Sequence, residues 1–297
     1  MNNTGLTFLR EELLLNPNVV KETLDIYHIP LSSLSSPAST TSTSVRLIHS
    51  FRLPVFKGSH RITSASCRSD PNPTSNNSFP KYTPTDRPFI NDPACAIIIF
   101  TFTIQTMTGS ITGNMIVHRK ALLDVLTSTS MQCMPPTALA TITKATTSIT
   151  PWEDWGPPNT RWFNVDFPTV FITTTAGQRC VQFVPIGHHG PRVPDTIFIL
   201  DFNPEKVVIA RRSSSVCGGF TLVGKKPFAI SKEGSEGTAN SEELRENVFL
   251  AHDLFEGEVV GRLPYLIYKA DQKWNYTAVL IDEERIVGIR VGSSSVF

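Results

Sequence analysis

Beyond residue 44 the pattern of hydrophobic and polar residues in this chain reads as many short strands, with little convincing helical spacing. Val45-Arg46-Leu47-Ile48-His49-Ser50-Phe51-Arg52-Leu53 alternates almost throughout and stops at Pro54, which predicts a half-buried strand. Ala96 to Gln105 is dense in β-branched and aromatic residues and predicts a central strand buried on both faces. Thr108-Gly109-Ser110 breaks it, Asn114 to His118 predicts its antiparallel partner, and Arg119 to Leu126 a short helical turn. Pro71, Pro73, Pro80, Pro84, Pro88 and Pro93 make the intervening stretch mostly loop.

Further along, the strand signals come closer together. Thr169 to Thr175 and Arg179 to Val184 flank the turn Ala176-Gly177-Gln178. Thr196 to Phe202 and Val207 to Ala210 flank Asn203-Pro204-Glu205-Lys206, read as a second hairpin. Lys232 to Glu246 is a polar surface insertion, and Val248 to Ala251, Glu258 to Arg262 and Leu266 to Tyr268 are short strands. Thr277 to Ile281 and Ile286 to Val291 flank Asp282-Glu283-Glu284-Arg285, a last hairpin. Many short strands between turns predict an all-β, antiparallel fold, and a propeller handles so many strands with few exposed edges. No strict repeat of blade length accompanies them.

The first forty-four residues depart from this pattern. Leu6 to Tyr27, with Glu11-Glu12-Leu13-Leu14-Leu15, has good helical propensity interrupted at Asn16-Pro17-Asn18, which predicts a short helical N-terminal segment. Ser32 to Ser44 is a Ser/Thr-rich linker. The expected division is therefore residues 1–44, helical segment and linker, and residues 45–297, the β domain.

Three of the four tryptophans fall within residues 151–163, in Pro151-Trp152-Glu153-Asp154-Trp155-Gly156-Pro157-Pro158-Asn159-Thr160-Arg161-Trp162-Phe163. Gly156-Pro157-Pro158 predicts a rigid turn delivering the chain into a strand near Arg161. The indoles either fill the core at an inter-strand corner or, with Arg161 and the acids, form a recognition surface. Arg161 is within reach of Glu153 or Asp154 across the turn, a pair worth under ~1 kcal/mol if exposed.

Composition narrows the function. Charged residues are 18% of the chain and the net charge is +1, which argues against a broad nucleic-acid surface. The five cysteines, Cys67, Cys95, Cys133, Cys180 and Cys217, are widely spaced without zinc-finger pattern, and are expected to be free thiols. No secretory signal or spanning apolar run is visible, so the expected address is cytoplasmic or nuclear, with no membrane partner. Gly187-His188-His189-Gly190-Pro191 is the most suggestive catalytic run, but no nucleophile elbow, phosphate loop or metal motif accompanies it. No catalytic, cofactor or metal residues are assigned.

Several motifs occur in a consistent order. Arg68-Ser69-Asp70-Pro71-Asn72-Pro73, Ile116-Val117-His118-Arg119-Lys120-Ala121-Leu122-Leu123, the tryptophan motif, Gly177-Gln178-Arg179, Leu263-Pro264-Tyr265 and Ile281 to Gly288 together resemble the C-terminal region of F-box-type proteins of mushroom-forming fungi. The resemblance covers about residues 45 to 297, with the tryptophan motif its most specific part. It implies a β-propeller-like region that chooses a protein target, behind an F-box docked on the adaptor of a cullin-type ubiquitin ligase. Leu9-Arg10-Glu11-Glu12-Leu13-Leu14 is only faintly similar to the opening of an F-box, so ligase coupling is not expected of this chain alone. The expected function is a non-enzymatic protein-interaction module with no cofactor. Its candidate interaction or structural residues are Trp152, Glu153, Asp154, Trp155, Arg161, Trp162, Gln178 and Arg179. The alternatives are an orphaned or truncated β domain with a structural role and, more weakly, a hydrolase using His188 or His189.

Overall fold

The computed structural model describes residues 2–3, 5–30, 44–73, 92–132, 148–164, 174–184, 196–212, 220–223, 254–257, 259, 261–269, 276, 278–282 and 285–289. Among these the chain is mostly β, in three five-stranded sheets and a two-stranded hairpin. The first sheet is an antiparallel meander of β2 (Thr7–Arg10), β3 (Leu13–Asn18), β4 (Thr23–His28) and β5 (Arg46–Arg52), extended by β9 (Ser148–Thr150) parallel to β5. The second contains β6 (Arg61–Arg68), β7 (Ile97–Thr106), β8 (Gly109–His118) and β10 (Thr160–Asn164), with β1 (Asn2–Asn3) parallel to β6. These two sheets exchange strands: β1 precedes the first sheet in the chain yet joins the second, and β9 does the reverse. The third runs β11 (Thr175–Ala176), β12 (Arg179–Val184), β13 (Thr196–Asp201), β15 (Tyr265–Lys269), β14 (Phe220–Val223). The hairpin is β16 (Ala278–Ile281) and β17 (Ile286–Ile289).

Alternation along β7 stacks the sheets. Ile98, Phe100, Phe102 and Ile104 pack into a core with Leu15, Leu24, Ile26 and Phe51 of the first sheet. Ile97 and Ile99, from the opposite face, pack with Phe198, Leu200 and Tyr265 of the third. Ala176, Val181 and Ile197 then meet Val279 and Ile281 of the hairpin. The second sheet is thus buried on both faces, as the near-continuous apolar run of β7 predicts.

The N-terminal segment is corrected: residues 7–28 form strands, not a short helix. Leu9, Leu15, Leu24 and Ile26 face the core, so tertiary burial overrides the helical propensity of Glu11 to Leu15. Pro17 is accommodated because β2 pairs with β3 only as far as Leu15, leaving one edge of β3 without a ladder beyond it. Asn18 Oδ1 accepts the Val20 and Lys21 amides, and Glu22 takes φ 54°, which turns the chain into β4.

A second correction falls at Val207–Ala210, which lies inside α3 (Pro204–Arg212), not a strand. Asn203 caps it, its Oδ1 accepting the Glu205 and Lys206 amides at 2.9 and 3.1 Å. Pro204 opens the helix, Glu205 lies in its first turn, and Arg211 and Arg212 in its last. That cap-proline-acid sequence is a helix start that a hairpin reading of Asn203-Pro204 overlooks. Strand β6 also lies in the stretch read as mostly loop, and the described part of 258–262 is irregular where a strand was expected. The helical turn after His118 extends to α1 (Arg119–Gln132). The Ser32–Ser44 linker is outside the described residues apart from Ser44, and Lys232–Glu246 and Val248–Ala251 lie wholly outside them.

Candidate functional site

Glu153, Asp154, Gly156, Pro157 and Pro158 belong to a helix, α2 (Trp152–Asn159), where the sequence reading expected a turn. The two prolines sit in its last turn, so the missing amides would have served the carbonyls of Glu153 and Asp154, both exposed residues with water at hand. The remaining terminal carbonyls are capped: Asn159 Nδ2 donates to Trp155 O at 2.8 Å, and Thr160 Oγ1 to Gly156 O at 2.7 Å. Gly156 is dictated by packing, because a Cβ there would overlap the Trp152 ring.

All three indoles are buried between the first two sheets. Trp155 packs on Phe51 and Trp152 with ring centroids 5.2 Å from each, and its Nε1 donates to Arg52 O at 2.8 Å. Trp162 stands 5.7 Å from both Phe102 and Phe255. The helix therefore acts as an aromatic wedge with its acids turned outward.

Arg161 is corrected from an exposed partner of Glu153 or Asp154. It is 2% exposed, donates Nη1 to Gly261 O at 2.7 Å, and lies over the Tyr265 ring at 5.3 Å. Gly261 permits this approach: a Cβ would lie 2.8 Å from Thr160 O. Burial pulls the Arg161 pKa down while Tyr265 opposes it; burial pushes Tyr265 up to about 12. Leu263 N donates to Thr160 O at 3.1 Å, so the Leu263-Pro264-Tyr265 motif is a direct partner of the tryptophan motif.

The other motif pieces also meet. Arg119, fully buried at the start of α1, donates to Ser69 Oγ (2.7 Å), Pro71 O (2.9 Å) and Pro93 O. Burial lowers its pKa to about 10, against the opposing carboxylates of Asp70 and Asp92. Gly177 N donates to Asp70 O and Gly177 O accepts from Ile97 N, both at 2.8 Å. Gln178 O accepts from Phe202 N at 2.9 Å, and Arg179 is half-buried on β12 opposite Asp201. Gly177 and the Leu263-Pro264-Tyr265 run are thus joined to the second sheet, while Arg119 ties together the loops that flank that sheet's own strands. Sequence reasoning did not single out Arg119, although it stands in the quoted Ile116 to Leu123 run. Its clamp role depends on loops distant in sequence.

A concave cleft of about 760 Å³ opens beside these joints, between α1, α2, β9 and the residues at the ends of strands β12, β13 and β15 of the third sheet. Lys120, Asp124 and Asp154 bring charge to it; Ile149, Pro151 and Leu263 bring apolar surface. Two groups with catalytic potential line it. The Cys95 thiol is pushed up by burial and by Asp92, whose Oδ2 accepts from its Sγ at 3.4 Å. His118 Nδ1 lies 3.1 Å from Cys95 O; burial lowers its pKa while the Cys95 and Phe202 carbonyls oppose. A thiol biased toward its protonated form beside an imidazole engaged with main-chain carbonyls is not an activated nucleophile.

No family model, curated protein or solved structure matches this chain. Cys67 and Cys180 are buried free thiols, and Cys95 is half-buried and free. No group of three or more potential ligands could hold a metal among the described residues. No helix among them is long and apolar enough to cross a membrane. His188 and His189 lie outside the described residues, so the structure does not place the hydrolase candidates.

Proposed function

We propose that this chain is a non-enzymatic protein-interaction module of propeller-like architecture, akin to the target-choosing region of fungal F-box proteins. One observation carries the reading: most of the motifs behind that resemblance meet where the second and third sheets join, with Arg119 clamping the loops beside that junction. Arg119 joins α1 to the Ser69–Pro71 loop, Gly177 joins Asp70 to Ile97, and Arg161 joins β10 to Gly261 and Tyr265. Such residues fix a framework, and a framework with an open cleft at its edge suits recognition of another protein. The stacking of sheets in chain order, each pair sharing a core, supports the propeller-like arrangement.

Affinity capture from a basidiomycete lysate, against an unrelated β scaffold, tests this function. A partner that co-elutes at fixed stoichiometry supports it; consistent failure to retain one favours a purely structural role. Ligase coupling has no support from residues 9–14, which form the β2–β3 hairpin where an F-box would place helix. The purified chain is expected to give no stoichiometric complex with a cullin-ligase adaptor, and a stable complex would refute that.

A further inference from the structure

The cleft beside α1 and α2 holds three charged side chains, of which two are matched to each other. Lys120 Nζ lies 2.8 Å from both carboxylate oxygens of Asp124. Asp154, in the first turn of α2, is exposed, and its carboxylate makes no hydrogen bond or ion pair among the described residues. One positive and two negative charges leave the cleft with one net negative charge. Apolar residues also line the cleft: Ile149 and Pro151 are exposed, Val125 and Pro264 half-buried, and Leu263 buried beneath them. Ile149 is 53% exposed, on the short outer strand β9.

Each part of this arrangement selects for a different feature of an occupant. Exposed apolar area gains ~25 cal/mol per Å² when covered, so Ile149 and its neighbours favour an aliphatic or aromatic side chain. Asp154 favours a cation, and opposes an acidic group unless Lys120 is first released from Asp124. The volume is within the ~300–1,000 Å³ typical of binding clefts, enough for a few side chains of an extended segment. We infer that this cleft takes a short segment of a partner protein that places an apolar side chain against Ile149 and Pro151 and an adjacent lysine or arginine on Asp154. The inference rests on the interaction-module reading and adds to it a site and the partner's chemistry.

Selection of displayed random short peptides on the purified full chain tests it. Selected sequences should pair a basic with an apolar residue, and their affinity should fall as salt rises, because an exposed ion pair is screened. Asp154→Lys should weaken them about tenfold and Asp154→Asn by less, as expected for a charge contact at an interface. Ile149→Asp should abolish binding. Unfolding midpoints of the three variants, all at exposed positions, should stay near wild type. The same library selected on Asp154→Lys should return acidic peptides. Recovery of no peptide on the wild-type chain overturns the inference. So does recovery of peptides indifferent to Asp154→Lys and Ile149→Asp; in that case the interaction-module reading survives with a different surface.

Discussion

Replacing Trp155 with alanine should lower the unfolding midpoint by roughly 10 °C, on a sensitivity of about 2–4 °C per kcal/mol for a large domain. The indole is wholly buried, wedged against Phe51 and Trp152 at the junction of the first two sheets. Truncation leaves a cavity between elements that cannot collapse without moving a sheet, at a cost of ~3–5 kcal/mol. Arg52 O also loses the 2.8 Å bond from Nε1, which costs about 1 kcal/mol more. The sum is a large share of the ~5–15 kcal/mol that holds a domain folded. Trp155→Phe separates the two contributions, because it keeps a ring beside Phe51 and removes only the donor and part of the volume. Arg161→Ala provides the second arm. An exposed ion pair would be worth under ~1 kcal/mol. The buried guanidinium on Gly261 O and Tyr265 predicts instead a loss of about 2–3 kcal/mol, typical of hydrogen bonds to charged groups. Differential scanning calorimetry of the three variants reads all of this directly. An unchanged midpoint for Trp155→Ala would refute the wedge, and one within error for Arg161→Ala would refute the joint between β10 and Tyr265.

Three further outcomes follow from single contacts. Gly156→Ala forces a methyl group into the Trp152 ring, which can retreat only into a filled core, and should cost about 1–3 kcal/mol by thermal unfolding. Burial lowers the His49 pKa to about 4, its ring nitrogens engaged by Ser148 Oγ at 2.6 Å and Thr150 Oγ1 at 3.0 Å. The unfolded chain therefore binds a proton near pH 6.5 that the folded chain refuses. Stability is full above that value and declines as pH falls toward about 4, by about 3 kcal/mol at most. His49→Gln should flatten that part of the pH–stability curve, and an unaltered slope would count against the assignment. Finally, site-resolved alkylation under native conditions should modify Cys95 well before Cys67, whose thiol is buried and pushed up to about 12. Equal rates at the two sites would contradict the packing of β6.

Local pattern was enough where one face or both faces of a strand demanded burial. Ile97–Thr106 and the Asn114–His118 part of β8 are legible because β-branched and apolar residues there point to one conformation, whereas Gly109 and Ser110, read as a break, belong to β8. Residues 7–28 are not legible, since Leu13-Leu14-Leu15 satisfies helix and strand locally, and only the core shared by Leu15, Leu24, Ile26 and Phe100 decides between them. Pro157 and Pro158 mislead for the opposite reason. Their cost in a helix depends on whether the orphaned carbonyls meet water, which a string of residues does not reveal. The tryptophan cluster marked an important place from the sequence, but burial alone assigned its rings to the core and its acids to the surface. The fate of Arg161 depended on Gly261, one hundred residues away, approaching closely enough to offer a carbonyl. The cleft is of the same kind: Asp154, Lys120, Ile149 and Leu263 carry no common motif, and become neighbours only because β9 crosses into the first sheet, where α2 packs on β5, while α1 stays against β8 of the second. Sequence sets what each short segment can bury; the strand exchange between sheets sets which segments share a surface.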